Sequence, residues 1–295
     1  MFKLLLCTAA ALTTLPANAA EPTRFSVVTV GKGPDVILIP GLSSPRAVWS
    51  RTAERLKATH RVHLIQLRGF GEPAGPNSSG PVLQPFVDEL GAYIAYRKLK
   101  QPAVIGHSMG GLTVMMLAAQ RPSLPGKVMV VDSLPFIGTL FGAADVEAIR
   151  PQATQMRTML VGSAAKQSPT FATADCPATL PAPAKPQGNM SNSGEGNCLV
   201  RQGALASDLR VVGQAMYDVM VTDLRPRLKD IAVPVTMLYP QDDRLLTAAA
   251  AAKTYSDAYA GLPLAKLVPV KGSYHFIMQD QPTQFDAALD VFLKR

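Results

Sequence analysis

The chain has 295 residues, 47% of them hydrophobic and 17% charged, which supports a buried core and excludes both a disulfide-held mini-fold and a disordered chain. Its 29 Lys+Arg against 21 Asp+Glu give a formal net charge of +8, but the excess is spread along the chain without a run of like charges. With aromatics at 6% and Trp49 the one tryptophan, neither a nucleic-acid stripe nor a stacking platform for single strands is expected.

Residues 1–19 hold Lys3, an apolar stretch over 4–15, Pro16 and the small residues Ala17-Asn18-Ala19. These are the three parts of a secretory signal, with cleavage expected after Ala19. The apolar stretch is shorter than the roughly 20 residues of a spanning helix, so no stable membrane anchor is expected in the mature, exported chain, whose place is the periplasm or the outside. Cleavage removes Cys7 and leaves Cys176 and Cys198, an even count that reads as a disulfide in an oxidising compartment. In the chain-entropy model such a bridge contributes roughly 3 kcal/mol.

Beyond the signal, short β-branched and aliphatic runs recur at 25–30, 36–40, 62–67, 103–106, 128–131, 235–239 and 267–270. Amphipathic stretches lie between them at 46–58, 83–99, 112–120, 248–259 and 285–293. This alternation predicts an α/β fold with a mostly parallel central sheet and helices on both faces, its first, more alternating run beginning an antiparallel edge. Residues 134–227 break the rhythm. Helices are expected near 144–160 and 204–221, flanking a Pro/Ser/Gly/Asn-rich segment at 168–196 that holds both mature cysteines. An ordinary connection takes about 2 to 6 residues, so 134–227 reads as an inserted, mainly helical cap on a core made of 20–133 and 228–295. Composition alone cannot support a core over 182–196.

Gly106-His107-Ser108-Met109-Gly110 follows one strand and precedes a helix. Glycines two residues either side of a serine permit the sharp strand-to-helix turn that thrusts its hydroxyl out at a helix N-terminus. A bare hydroxyl is a weak nucleophile, so a histidine must take its proton and an acid must orient that histidine. Of the four histidines, His107 adjoins the serine and should point away, while His60 and His63 flank a strand start at the opposite end of the sheet. His275, after the last strand, is left as general base and acid. The acid is expected after the strand at 235–239, where Asp242 and Asp243 are both candidates. Two backbone N–H groups should form an oxyanion hole, one on Met109 after the nucleophile and one on Leu42 in the loop Pro40-Gly41-Leu42. Leu134, Phe136, Ile137 and Phe141 are candidates for an apolar substrate pocket. No paired-cysteine or HExxH zinc pattern occurs, and neither a metal nor a cofactor is expected.

With these pieces the chain resembles the α/β-hydrolase fold family, in particular its serine esterase- and lipase-like members with a cap. The matching segments are Pro40-Gly41-Leu42 with Trp49 beyond, Leu67-Arg68-Gly69-Phe70-Gly71, the Gly-His-Ser-Met-Gly-Gly elbow, Asp242-Asp243, and Gly272-Ser273-Tyr274-His275-Phe276 with Pro282 and Phe285 beyond. In the family's Gly-x-x-Asp acid loop the aspartate sits three residues after a glycine. Pro240 occupies the glycine's place, so the resemblance implies Asp243. The chain departs from the family at Pro40, where histidine is common, at Gln66, where aspartate is common, and at Pro240. The implied activity is hydrolysis of a small-molecule carboxylic ester through an acyl-enzyme on Ser108. Lactonase and aminopeptidase chemistry on the same residues are alternatives, as are a non-catalytic ligand-binding relative and a membrane-surface lipase, though no long basic amphipathic helix is present to anchor the last. Nothing in the chain specifies an oligomeric state.

Overall fold

In a computed structural model of the chain, residues 21–170, 176–183, 190–262 and 265–294 are described. The expected signal over 1–19 and part of the segment at 168–196 lie outside the described residues.

Seven strands form one sheet: β1 (Phe25–Val30), β2 (Asp35–Ile39), β3 (Arg61–Leu67), β4 (Ala103–His107), β5 (Lys127–Val131), β6 (Val235–Gln241) and β7 (Ala265–Lys271). Their order is β1-β3-β2-β4-β5-β6-β7. β1 runs antiparallel to β3, with Phe25 opposite Leu67, and the other pairs are parallel. The central strands are apolar at consecutive positions because both faces are covered. On β2, Ile37 and Ile39 enter one hydrophobic cluster while Val36 and Leu38 enter another.

The helices are α1 (Ser50–Leu56), α2 (Leu83–Tyr96), α3 (Met109–Gln120), α4 (Val146–Ser163), α5 (Gly194–Ala206), α6 (Leu209–Met220), α7 (Ala248–Ala258), α8 (Ile277–Asp280) and α9 (Pro282–Lys294). α2, α3, α6 and α7 pack on the first face, and α1 and α9 with Trp49 on the second. α3 is buried from Met109 to Ala119, which is why it is apolar all round rather than along one stripe.

Among the described residues, the α-helices α4 to α6 are inserted between β5 and β6. α4 and α6 enclose a cluster of Phe136, Ile149, Ala153 and Met220. α6 also turns Val211, Val212, Ala215 and Val219 into the core on the first face, seating the insertion on the sheet. α5 is a helix where the expectation was a loop-rich segment running into a helix at 204. Cys176 and Cys198 are joined, Cα to Cα 5.7 Å, tying the stretch before α5 to the helix itself.

Register brings two strand ends level. His107 on β4 pairs with Val131 on β5, so the next residues, Ser108 and Asp132, emerge side by side at the carboxyl edge. Ser108 N–H donates to Val131 O (2.9 Å) and Asp132 N–H to Leu238 O (2.8 Å).

Candidate active site

Ser108 occupies the turn between β4 and α3 with φ 55° and ψ −122°, a strained left-handed conformation for a residue with a Cβ. The turn is possible because the chain is bare around it. A Cβ at Gly110 would lie 2.5 Å from Ile39 O and 2.7 Å from Pro40 O, and one at Gly106 would collide with Gly110 itself. The loop after β2 presses against the same turn, since a Cβ at Gly41 would come within 2.9 Å of Ser108 Cβ. The start of this loop is thereby held against the N-terminus of α3, where Met109 supplies the first helical N–H. Leu42 packs partly buried against the core cluster that includes α3 and is not among the residues lining the cavity beside Ser108.

His275 is carried over the sheet edge by the loop after β7. Gly272, at φ 73°, turns the chain with its N–H on Gln241 O (2.7 Å), and Phe276 N–H donates to Met190 O (2.8 Å). Asp280 accepts from Tyr274 N–H (2.8 Å) and from the Ser191 hydroxyl (2.5 Å), bracing the loop against the stretch that leads into α5. From beneath, His107 Nε2 donates to His275 O (3.0 Å). A carbonyl only accepts, so His107 carries its hydrogen on Nε2, and its buried Nδ1 has no partner. Burial, and then the neighbouring His275 ring, hold its pKa well below the ordinary imidazole range.

The carboxylate on His275 is Asp132. His275 Nδ1 lies 2.5 Å from Asp132 Oδ2, so Nδ1 donates and Nε2 is left able to take a proton. Asp243, expected in this role, is not the partner. β6 runs on through Pro240 to Gln241, and the turn beyond is closed by Asp242, which accepts from Arg244. Asp243 is left exposed, with Gln241 Nε2 donating to it at 3.2 Å. The hydrogen-bonded Arg244 guanidinium lowers the pKa of the Asp242 carboxyl, outweighing the opposing effect of burial.

A cavity of about 150 Å³ joins these groups, lined by Ser108 and His275 with Met109, Leu112, Leu134, Ile137, Leu140 and Val219 among its apolar walls. No hydrogen bond joins Ser108 to His275 across it. Leu134 and Ile137 line it, whereas Phe136 is buried in the cluster between α4 and α6, with Arg225 over its ring, and Phe141 faces solvent at 48% exposure. Asp132, Ser133 and Tyr255 also line the cavity and were not anticipated. The available signal was an aspartate directly after an apolar core strand, Val130-Val131-Asp132. His63 lies away from the site, buried between Asp35 (3.0 Å) and Tyr93 (2.8 Å) at the start of β3.

Residues 36–288 match the model of a family described as the alpha/beta hydrolase family. A pimeloyl-[acyl-carrier protein] methyl ester esterase of Vibrio vulnificus (strain YJ016) is 30% identical over 107 residues, 36% of this chain and 40% of that one. Its counterpart in Aeromonas salmonicida (strain A449) is 34% identical over 110 residues, 37% of this chain and 42% of that one. The chain thus spans about two fifths of the length of these curated relatives. Among solved structures, a thermophilic esterase from Thermogutta terrifontis superposes with a TM-score of 0.71 at 19% identity, covering 92% of this chain and 93% of that one. An enol-lactonase from Burkholderia xenovorans LB400 gives 0.66 at 20% identity, covering 92% and 96%. At these identities the superpositions speak for the fold alone.

Proposed function

The chain belongs to the alpha/beta hydrolase family, and from that premise we propose that it is a serine hydrolase of small, uncharged carboxylic esters, working through Ser108, His275 and Asp132. The observation that carries this reading is the bond from His275 to Asp132, in a cavity that also holds a serine on a strained elbow. The curated relatives are named for a methyl ester, which agrees with the ester bond. Among the described residues no Lys or Arg lines the cavity, which favours an acyl group without charge.

In the proposed reaction, His275 Nε2 takes the proton of Ser108 as Oγ attacks the ester carbonyl, and the bond between serine and imidazole tightens when substrate is bound. The oxyanion faces the N–H groups of Met109 and Leu42, each such donor worth about 3 kcal/mol in the transition state. The imidazolium gives its proton to the departing alkoxide, leaving an acyl-enzyme. Water, deprotonated by His275, then cleaves the acyl-enzyme and the proton returns to Ser108. Asp132 keeps the imidazole in the required tautomer and stabilises its charged form without itself taking the proton. Ser108→Ala should abolish turnover of short p-nitrophenyl esters and labelling by a fluorophosphonate while leaving the thermal unfolding transition in place. Undiminished turnover in the folded variant would remove the mechanism.

We further propose that the protein works outside the cytoplasm. Supporting this are the signal-like residues 1–19 and the Cys176–Cys198 bridge, which reducing conditions would oppose. Intact-mass analysis of chain recovered from the cell envelope or medium should show an N-terminus at Ala20 and no free thiols. A full-length reduced chain confined to the cytoplasm would contradict it.

A further inference from the structure

We infer that Tyr255, on α7, is the positioning residue of the acid, its phenol holding the Asp132 carboxylate in the orientation that serves His275. The inference rests on the triad reading above and extends it to an element on the far side of the acid. Tyr255 Oη donates to Asp132 Oδ1 at 2.5 Å while Asp132 Oδ2 receives His275 Nδ1 at 2.5 Å. Each carboxylate oxygen thus has its own partner, and rotation about the Cβ–Cγ bond would break both contacts together. With His275 alone as partner, the carboxylate could turn and exchange oxygens.

The surrounding arrangement gives this contact its purpose. Asp132 has φ 45°, a left-handed conformation that costs an L-residue on the order of 1–2 kcal/mol. Its backbone is held by the N–H bond to Leu238 O, and the next residue is held by Tyr259, one helical turn beyond Tyr255, whose hydroxyl donates to Ser133 O at 2.7 Å. α7 therefore grips Asp132-Ser133 with two phenols on one helix face. Tyr255 is in turn fixed by stacking on Tyr239 of β6, ring centroids 4.7 Å apart and 24° between planes. An acid placed after β5, rather than after β6, brings α7 within reach of its carboxylate.

The phenol keeps its proton, and so remains a donor, through the neutral range. Burial raises its pKa well above the ordinary tyrosine value, and the Asp132 charge raises it further. The same causes act on Tyr259. The other titratable ring against His275 is His107, 4.5 Å away and held neutral by burial, so the Tyr255 hydroxyl is the contact that substitution can remove from the acid without touching the base or the nucleophile.

Tyr255→Phe keeps the stacked ring and removes only the hydroxyl. With a short p-nitrophenyl ester as probe, kcat should fall about tenfold and KM change by less than about twofold, the size expected for one hydrogen bond to a charged group. The acidic limb of the kcat/KM profile should move to higher pH, because a carboxylate with one donor fewer holds the protonated imidazole more strongly. Ala251→Gly, at a buried position of the same helix one turn before Tyr255 and with no polar side-chain group, should lower Tm while leaving kcat and the limb in place. Wild-type kcat or an unmoved limb in folded Tyr255→Phe would overturn the inference, as would Ala251→Gly reproducing both of its effects. Asp132→Asn separates the two levels: activity kept in that variant sinks the triad reading itself, whereas activity lost there but unaffected in Tyr255→Phe sinks only the role of Tyr255.

Discussion

His107 lies beside the proposed nucleophile and is fully buried, with one ring nitrogen on His275 O and the other without a partner. Burial also depresses the pKa of His63, its bond to Asp35 offsetting only part of the effect. A histidine kept neutral in the fold gains a proton on unfolding once the pH drops below the ordinary value of about 6.5. The unfolded chain then binds more protons than the folded one, so stability falls as pH is lowered, by about 1.4 kcal/mol per pH unit for each such histidine. Urea unfolding between pH 7.5 and 5 should show this decline in the native protein and a decline shallower by one histidine's share in His107→Gln; equal slopes would contradict the assignment. At this scale the sequence pointed to Ser108 through its flanking glycines and to His275 by elimination among four histidines. It did not point to Asp132, because motif spacing counted from Pro240 drew attention to Asp243, and spacing does not report that Asp242 would close its turn on Arg244. Apolarity alone points to Phe136 and Phe141, and it does not distinguish a buried cluster, an exposed loop and a cavity wall.

Strands were the most legible elements. A strand buried on both faces is a short continuous apolar run, and each of the seven expected runs falls within an observed strand or overshoots it by one residue. β6 extends two residues beyond its apolar run through Pro240 and Gln241, which pair with Val270 and Lys271, and this extension carries Asp242 and Asp243 past the site. α5 was hidden because Gly194, Gly196, Asn197 and Gly203 are poor helix formers. Packing overrides that preference: a Cβ at Gly203 would run into Ser43 O, so a helix this close to the loop after β2 requires glycine there. The Ser193 hydroxyl caps the helix by accepting from Gly196 N–H at 3.0 Å, and the Cys176–Cys198 bridge joins it to the preceding loop. Through the stretch before it, α5 also braces the His275 loop, since Met190 O and Ser191 meet Phe276 and Asp280. The insertion thus helps to hold the base as well as lying between two strands of the core.

Across the whole molecule, the order of the sheet explains why residues 108, 132 and 275 meet. Parallel strands expose their carboxyl ends along one edge, and ligands of open α/β sheets bind beyond that edge. Ser108 and Asp132 leave adjacent strands at one level, and the loop after β7 returns past β6 to reach them. α7 closes the arrangement from the side with Tyr255 and Tyr259. The central claim is that the acid follows β5, and the most direct test is kcat/KM for Asp132→Asn and Asp243→Asn, purified and folded, on one short p-nitrophenyl ester. Asp132→Asn should lose on the order of 10⁴-fold through the wrong histidine tautomer, while Asp243→Asn should stay within about threefold of the native enzyme, as a surface substitution does. A large loss in Asp243→Asn with Asp132→Asn close to native would contradict the account.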